Sequence, residues 1–103
     1  MKTLTICGSM RFSEEMKQIA WELETLHGYN ILQCIYGDGQ ISNISLERLR
    51  KAHNKKIDLS DGIYVVDMDG YLGESVLAEI HYAISRGKEV LYHSTFTEVK
   101  TSG

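Results

Sequence analysis

Proline is absent from this 103-residue chain, tryptophan occurs once and cysteine twice. Cys7 and Cys34 lie in apolar, strand-like runs, and neither has CxxC or metal-ligand spacing. Both therefore read as buried thiols of a protein kept in a reducing compartment. No apolar run reaches 18 residues and no signal-peptide pattern is present, which points away from a membrane and towards the cytoplasm. Basic charge is not concentrated anywhere: 11 Lys and Arg against 14 Asp and Glu give a formal charge of −3. That balance argues against a nucleic-acid polymer as partner. Walker A and GxGxxG patterns are both missing, so an ATP or dinucleotide reading lacks its signature. Nothing in the chain calls for a metal or an organic cofactor. With no repeats or low-complexity segments, residues 1–103 are expected to form one domain. It is large enough to bury about two-thirds of its unfolded surface.

What is present is an alternation of short apolar runs and helical patterns. Thr3 to Cys7 reads as a first strand, ended by Gly8-Ser9. A helix is expected from Ser13, a good N-cap residue, with Met16, Ile19, Ala20, Leu23 and Leu26 at helical spacing and Gly28 closing it. Tyr29 to Ile35 is a second strand, and Tyr36 to Asn43 a loop that is placed to cover a pocket. A polar helix follows from Ser45 to about Ile57, with Leu46, Leu49 and Ile57 facing inward. Ile63 to Val66 is β-branched, aromatic and short, the mark of a buried strand. A helix from about Glu74 to Arg86, closed by Gly87, and a strand from Glu89 to Tyr92 complete the pattern. Thr97 to Gly103 are expected to fray. The order βαβαβαβ implies a small three-layer α/β/α sandwich with a mainly parallel sheet.

Two strand-to-helix loops then fall on one sheet edge, where open α/β sheets bind ligands. In the first, Gly8 allows close backbone approach, Ser9 offers a hydroxyl, and Arg11 a planar donor fork for phosphate or carboxylate. The second runs from Gly70 to Ser75. The helix that follows carries Glu79, at the edge of an apolar arc of Val76, Leu77, Ile80, Ala83 and Ile84. Its neighbours one turn away are Val76, Ser75, Tyr82 and Ala83, so no basic residue of its own helix pairs with it. Glu79 is either a boundary glutamate that reaches water or Ser75, or a working carboxylate. Cys7 with Arg11 makes a poor phosphatase pair, because Cys7 ends a buried strand; its role is packing.

These segments resemble the nucleoside 2-deoxyribosyltransferase superfamily, and within it the 2′-deoxynucleoside 5′-phosphate N-hydrolases. The opening Leu4-Thr5-Ile6-Cys7-Gly8-Ser9-Met10-Arg11 is similar to that branch's phosphate-binding loop. Glu79-Ile80-His81-Tyr82-Ala83, with Gly73 upstream, is similar to the family's Glu-Leu-Gly-Tyr-Ala segment, and Ser60 to Asp67 resembles its Ala-Asp-x-x-x-Val strand. The resemblance spans residues 3–92. It implies a Rossmann-like or flavodoxin-like fold, a homodimer or higher homo-oligomer, and cleavage of an N-glycosidic bond by hydrolysis or transfer. Glu79 would be the nucleophile, while Gly8, Ser9, Met10 and Arg11 would hold a 5′-phosphate. Ser75, one turn before Glu79, would hold the carboxylate or a phosphate oxygen.

The chain departs from the family in places. Thr5 and Ile6 stand where the family has a first-strand tyrosine, and Gly73 where it tends to carry Asp or Ser. The family's proton-transfer carboxylate falls at His53 here, which is able to act as acid or base near neutral pH. Asp67, Asp69 and Glu74 are alternative second carboxylates, one of them for the sugar hydroxyls. The partner expected is a small nucleoside or nucleotide. The alternative is a non-catalytic module on the same fold that binds a nucleotide or a nucleotide-derived signal through the same two loops. A structural domain that assembles through helix faces is a third.

Overall fold

The computed structural model describes residues 1–37 and 42–96. Its strands are β1 (Thr3–Gly8), β2 (Asn30–Leu32), β3 (Gly62–Val66) and β4 (Glu89–Tyr92). Its helices are α1 (Ser13–Thr25), α2 (Asn43–Asp58) and α3 (Glu74–Ser85), with short 3₁₀ turns at Met10–Phe12, Met68–Gly70 and His93–Thr95. All strand pairs are parallel, in the order β2-β1-β3-β4. The chain steps from β1 outward to β2 and then returns across β1 to β3. Right-handed crossovers therefore set α1 on one face of the sheet and α2 and α3 on the other. This is the doubly wound, flavodoxin-like arrangement, whose direction reverses between β1 and β3.

Side-chain alternation along the central strands divides the core. Leu4 and Ile6 of β1 and Tyr64 and Val66 of β3 pack with Phe12, Met16, Ile19 and Leu23 beside α1. Cys7, Ile63 and Val65 point the other way, onto Ile57 of α2 and Val76, Ile80 and Ala83 of α3. Every residue of β3 is buried, the mark of a central parallel strand covered on both faces. Each large apolar side chain so enclosed is worth about 1.5–3 kcal/mol of transfer free energy. Helix ends follow local chemistry. Gly28 and Gly87 adopt φ of 73° and 70°, the left-handed conformation that terminates a helix.

Several boundaries differ from the sequence pattern. Ser13 lies inside α1 and makes no cap; the cap of this region is Ser9, which opens the preceding 3₁₀ turn. The strand expected over Tyr29–Ile35 keeps only Asn30–Leu32. Cys34 has left the sheet and is half-buried against the α1-side core. Helix α2 begins earlier than expected because the Ser42 hydroxyl accepts the Ser45 N–H at 3.1 Å. Leu46 is 56% exposed, as are Leu26, Leu77 and Ile84 to similar extents. These leucines and isoleucines lie on helical arcs wider than the strip that the sheet covers. The covering loop expected over residues 36–43 is described only at its ends, and the segment 97–103 lies outside the described residues.

β2 pairs with β1 only at Thr3–Thr5, whereas β3 follows β1 through to Gly8 opposite Val66. The carboxyl ends of β1 and β3 thus stand together at the reversal point, beyond the reach of β2. Among the described residues, no helix is long and apolar enough to cross a membrane.

Candidate active site at the carboxyl ends of the central strands

The first loop leaves β1 at Gly8. A Cβ there would come 2.8 Å from Met16 Sδ and 3.2 Å from Val66 Cβ, so the residue is bare because α1 and β3 close over it. Ser9 takes extended φ/ψ and its hydroxyl accepts the Arg11 backbone N–H at 3.3 Å. Met10 and Arg11 are exposed while Phe12 turns into the core. The Arg11 guanidinium carbon lies 3.7 Å from the centre of the Tyr71 ring, and Phe12 meets the same ring edge-on at 6.2 Å. Tyr71 therefore ties the first loop to the second. It was not singled out from sequence, although an aromatic between Gly70 and Gly73 in a loop facing an arginine is a readable signal.

The second loop begins with Asp67, whose carboxylate accepts both the Ser94 backbone N–H at 2.9 Å and the Ser94 hydroxyl at 2.6 Å. Asp67 thereby fastens the end of β3 to the turn after β4. Asp69 is exposed and takes a left-handed φ of 55°. Gly73 occupies the N-cap of α3 without a side-chain cap. Glu74 and Ser75 are exposed in the first turn of that helix, where backbone N–H groups and the helix dipole favour negative charge. Glu79 finds its partners on other elements.

Those partners are His53 of α2 and Cys7 of β1. His53 Nε2 lies 3.5 Å from Glu79 Oε1 and 3.4 Å from Cys7 Sγ. The Glu79 and His53 side chains are 20% and 10% exposed, and Cys7 is 1% exposed. Burial pushes the Cys7 thiol well above its ordinary range, and the charge of Glu79 with its hydrogen bond adds to the effect. The sequence reading of Cys7 as packing alone is thus incomplete: it is buried, and it also touches the site. His53 falls where the helix before β3 was expected to place an acid–base group. Thr5 and Ile6 are fully buried, Thr5 spending its hydroxyl on Ser60 at 2.6 Å.

Cavities of about 350 and 330 Å³ lie elsewhere. One is lined by Lys2, Tyr29, Tyr92 and Phe96 beside β4, the other by α2 residues including Ile44 and Arg48, and neither is lined by Glu79. Compared with protein-family models, with curated proteins and with solved structures, the chain matches none of them. Fold and site define a doubly wound α/β protein with a half-buried carboxylate at its reversal point.

Proposed function

We propose that this protein cleaves the N-glycosidic bond of a nucleoside or nucleoside 5′-monophosphate, with Glu79 as nucleophile. One observation carries the reading: a largely enclosed carboxylate, steadied by His53, stands at the reversal point beneath loops bearing Ser9, Arg11 and an open helix amino terminus. The transition state of such a reaction is oxocarbenium-like at C1′. Glu79 attacks C1′ as the bond to the base nitrogen breaks, forming a glycosyl-enzyme, and the departing base takes the electron pair and a proton from solvent. Water then hydrolyses that ester, or a second base displaces the sugar. His53 contacts the same carboxylate through Nε2, so its part is to hold Glu79 in one orientation; it is a positioning residue.

Stacking on Tyr71 engages the flat face of Arg11, while its N–H donors lie in the guanidinium plane. Arg11, Ser9 and the amino terminus of α3 are suited to a 5′-phosphate, whose binding positions the sugar far from the reacting bond. Leu77 and Ile84, two turns apart on the exposed side of α3, support a homodimer. The free thiols of Cys7 and Cys34 fit a reducing, cytoplasmic setting.

The test is chromatography of released base from a panel of deoxy- and ribonucleoside 5′-monophosphates. Wild type should release base, and Glu79→Gln should lose about a thousandfold or more in kcat while still binding the nucleotide. No release from any substrate, by a protein whose melting temperature nucleotides raise, would replace this reading with a non-catalytic nucleotide-binding module.

A further inference from the structure

The cluster beneath the proposed nucleophile has a second capacity. Cys7 Sγ, His53 Nε2 and a Glu79 carboxylate oxygen all lie within 4.8 Å of one another. The geometry points to a divalent transition-metal site, best suited to zinc, with these three side chains as ligands and a fourth position left to water or an anion.

Distances carry the inference. With bonds of about 2.3 Å to sulfur and about 2.0–2.2 Å to nitrogen and oxygen, a tetrahedral zinc sets its ligands about 3.4–3.6 Å apart. Two of the three edges match, 3.4 Å from sulfur to nitrogen and 3.5 Å from nitrogen to oxygen, and the third, sulfur to oxygen, lies within 4.8 Å. The directions agree as well. Both contacts converge on Nε2, whereas a nucleophile–base–orienter triad would engage the two ring nitrogens separately. Without an ion, the Cys7 thiol and the Nε2–H are both able to donate to the Glu79 carboxylate, the one acceptor-only group of the three. A cation between the three atoms replaces those two protons and takes all three as ligands at once.

The donor set fits the metal. Thiolate, imidazole and carboxylate form the mixed sulfur, nitrogen and oxygen group that zinc accepts, and two negative ligands neutralise a divalent charge in an enclosed place. The partly exposed side of Glu79 gives the ion a way in. Binding replaces the S–H bond of Cys7 with a metal–sulfur bond and sends one proton to solvent. The site does not depend on the glycosidase reading, although an ion held there would occupy the lone pairs of Glu79 and exclude the glycosyl-enzyme.

The deciding experiment is a cobalt(II) titration of the full, chelator-stripped chain with a non-thiol reductant. We expect a thiolate-to-cobalt charge-transfer band and strong tetrahedral d–d bands that saturate at one equivalent, are displaced by zinc, and release about one proton per ion. Cys7→Ala should abolish the charge-transfer band, and His53→Gln should weaken affinity by about tenfold or more. Cys34→Ser should leave both unchanged. If Cys7→Ala does not fold, the wild-type spectrum and His53→Gln decide the matter. Absence of the band in wild type, its loss in Cys34→Ser, or undiminished affinity in His53→Gln would overturn the site. Because cobalt binding is read without substrate, it fails or succeeds independently of base release.

Discussion

The Arg11 guanidinium stacks on the Tyr71 ring at 3.7 Å, joining the loop after β1 to the loop before α3. An exposed stack of this kind is worth about 0.5–1 kcal/mol. Tyr71→Leu should therefore weaken nucleoside monophosphate binding by roughly two- to fivefold, and Tyr71→Phe should retain it. Arg11→Ala should raise KM for the monophosphate and scarcely change that for the free nucleoside. Equal losses on both substrates would show that Arg11 holds something other than a phosphate.

Gly62 opens β3 beside Glu89 of β4. A Cβ at this position would stand 2.5 Å from the Glu89 carbonyl oxygen, a backbone atom with no freedom to swing aside. Gly62→Ala should cost about 2 kcal/mol or more by prying the two strands apart. Urea unfolding provides the check; an unchanged midpoint would mean that β4 shifts without cost.

Alkaline pH should destabilise the fold. Burial raises the Cys7 thiol well above its ordinary value of 9.0 and raises the Tyr64 phenol above 10.0. In the unfolded chain both groups lose their protons near those ordinary values, while the folded chain retains them. The unfolded state then binds fewer protons, so stability is complete below about pH 9 and falls as pH rises through 9 and 10. The slope is at most about 1.4 kcal/mol per pH unit for each group. Denaturation midpoints from about pH 8 to pH 10.5 should decline, and Cys7→Ala should flatten the first part of the decline. A flat profile in wild type would contradict the burial assigned to these groups.

The exposed side of α3 offers a route to test assembly. Leu77 is 43% and Ile84 61% exposed. Light scattering should report a dimer for the wild type, and Leu77→Glu combined with Ile84→Glu should yield a folded monomer. A wild-type monomer at working concentration would remove the assembly proposed above.

Asp67 supplies a contrast between binding and bracing. Its carboxylate is engaged by Ser94 through backbone and hydroxyl. Asp67→Ala should lower stability by about 1–2 kcal/mol and leave KM unchanged. A raised KM with unchanged stability would return Asp67 to the sugar hydroxyls.

Much of this architecture was legible in the chain. Short β-branched runs between helical patterns marked β1, β3 and β4, and the wheel of α3 placed Glu79 at the margin of its buried face. The wheel did not show how wide that face is. Leu46, Leu77 and Ile84 lie on apolar arcs yet remain exposed, because only the sheet decides how much of an arc it covers. β2 was overextended because Gln33 to Ile35 share the composition of a strand, yet the chain turns away from β1 after Leu32. Cys7 and His53 are 46 residues apart, and no spacing rule joins them. Their meeting follows from α2 crossing beneath β1, a fact of topology. Tyr71 was missed because its partner, Arg11, lies on another element.

The placement of β1 between β2 and β3 also sets a timetable. Thr3 and Asp61, 58 residues apart, are bonded at the start of the central pair, and no strand in the sheet pairs with a neighbour through a hairpin. At about 5–20 residues per second of synthesis, the earlier strand waits about 3–12 s for the later one to leave the ribosome. During that interval β1 has α1, α2 and three residues of β2 beside it, but not β3, its partner from Leu4 to Gly8. The nascent chain thus passes through a stage in which β1, a central strand of the finished sheet, has one bare edge. Until β3 emerges, that edge is open to pairing with another chain, so the order of synthesis, and not the finished fold, sets when the sheet closes.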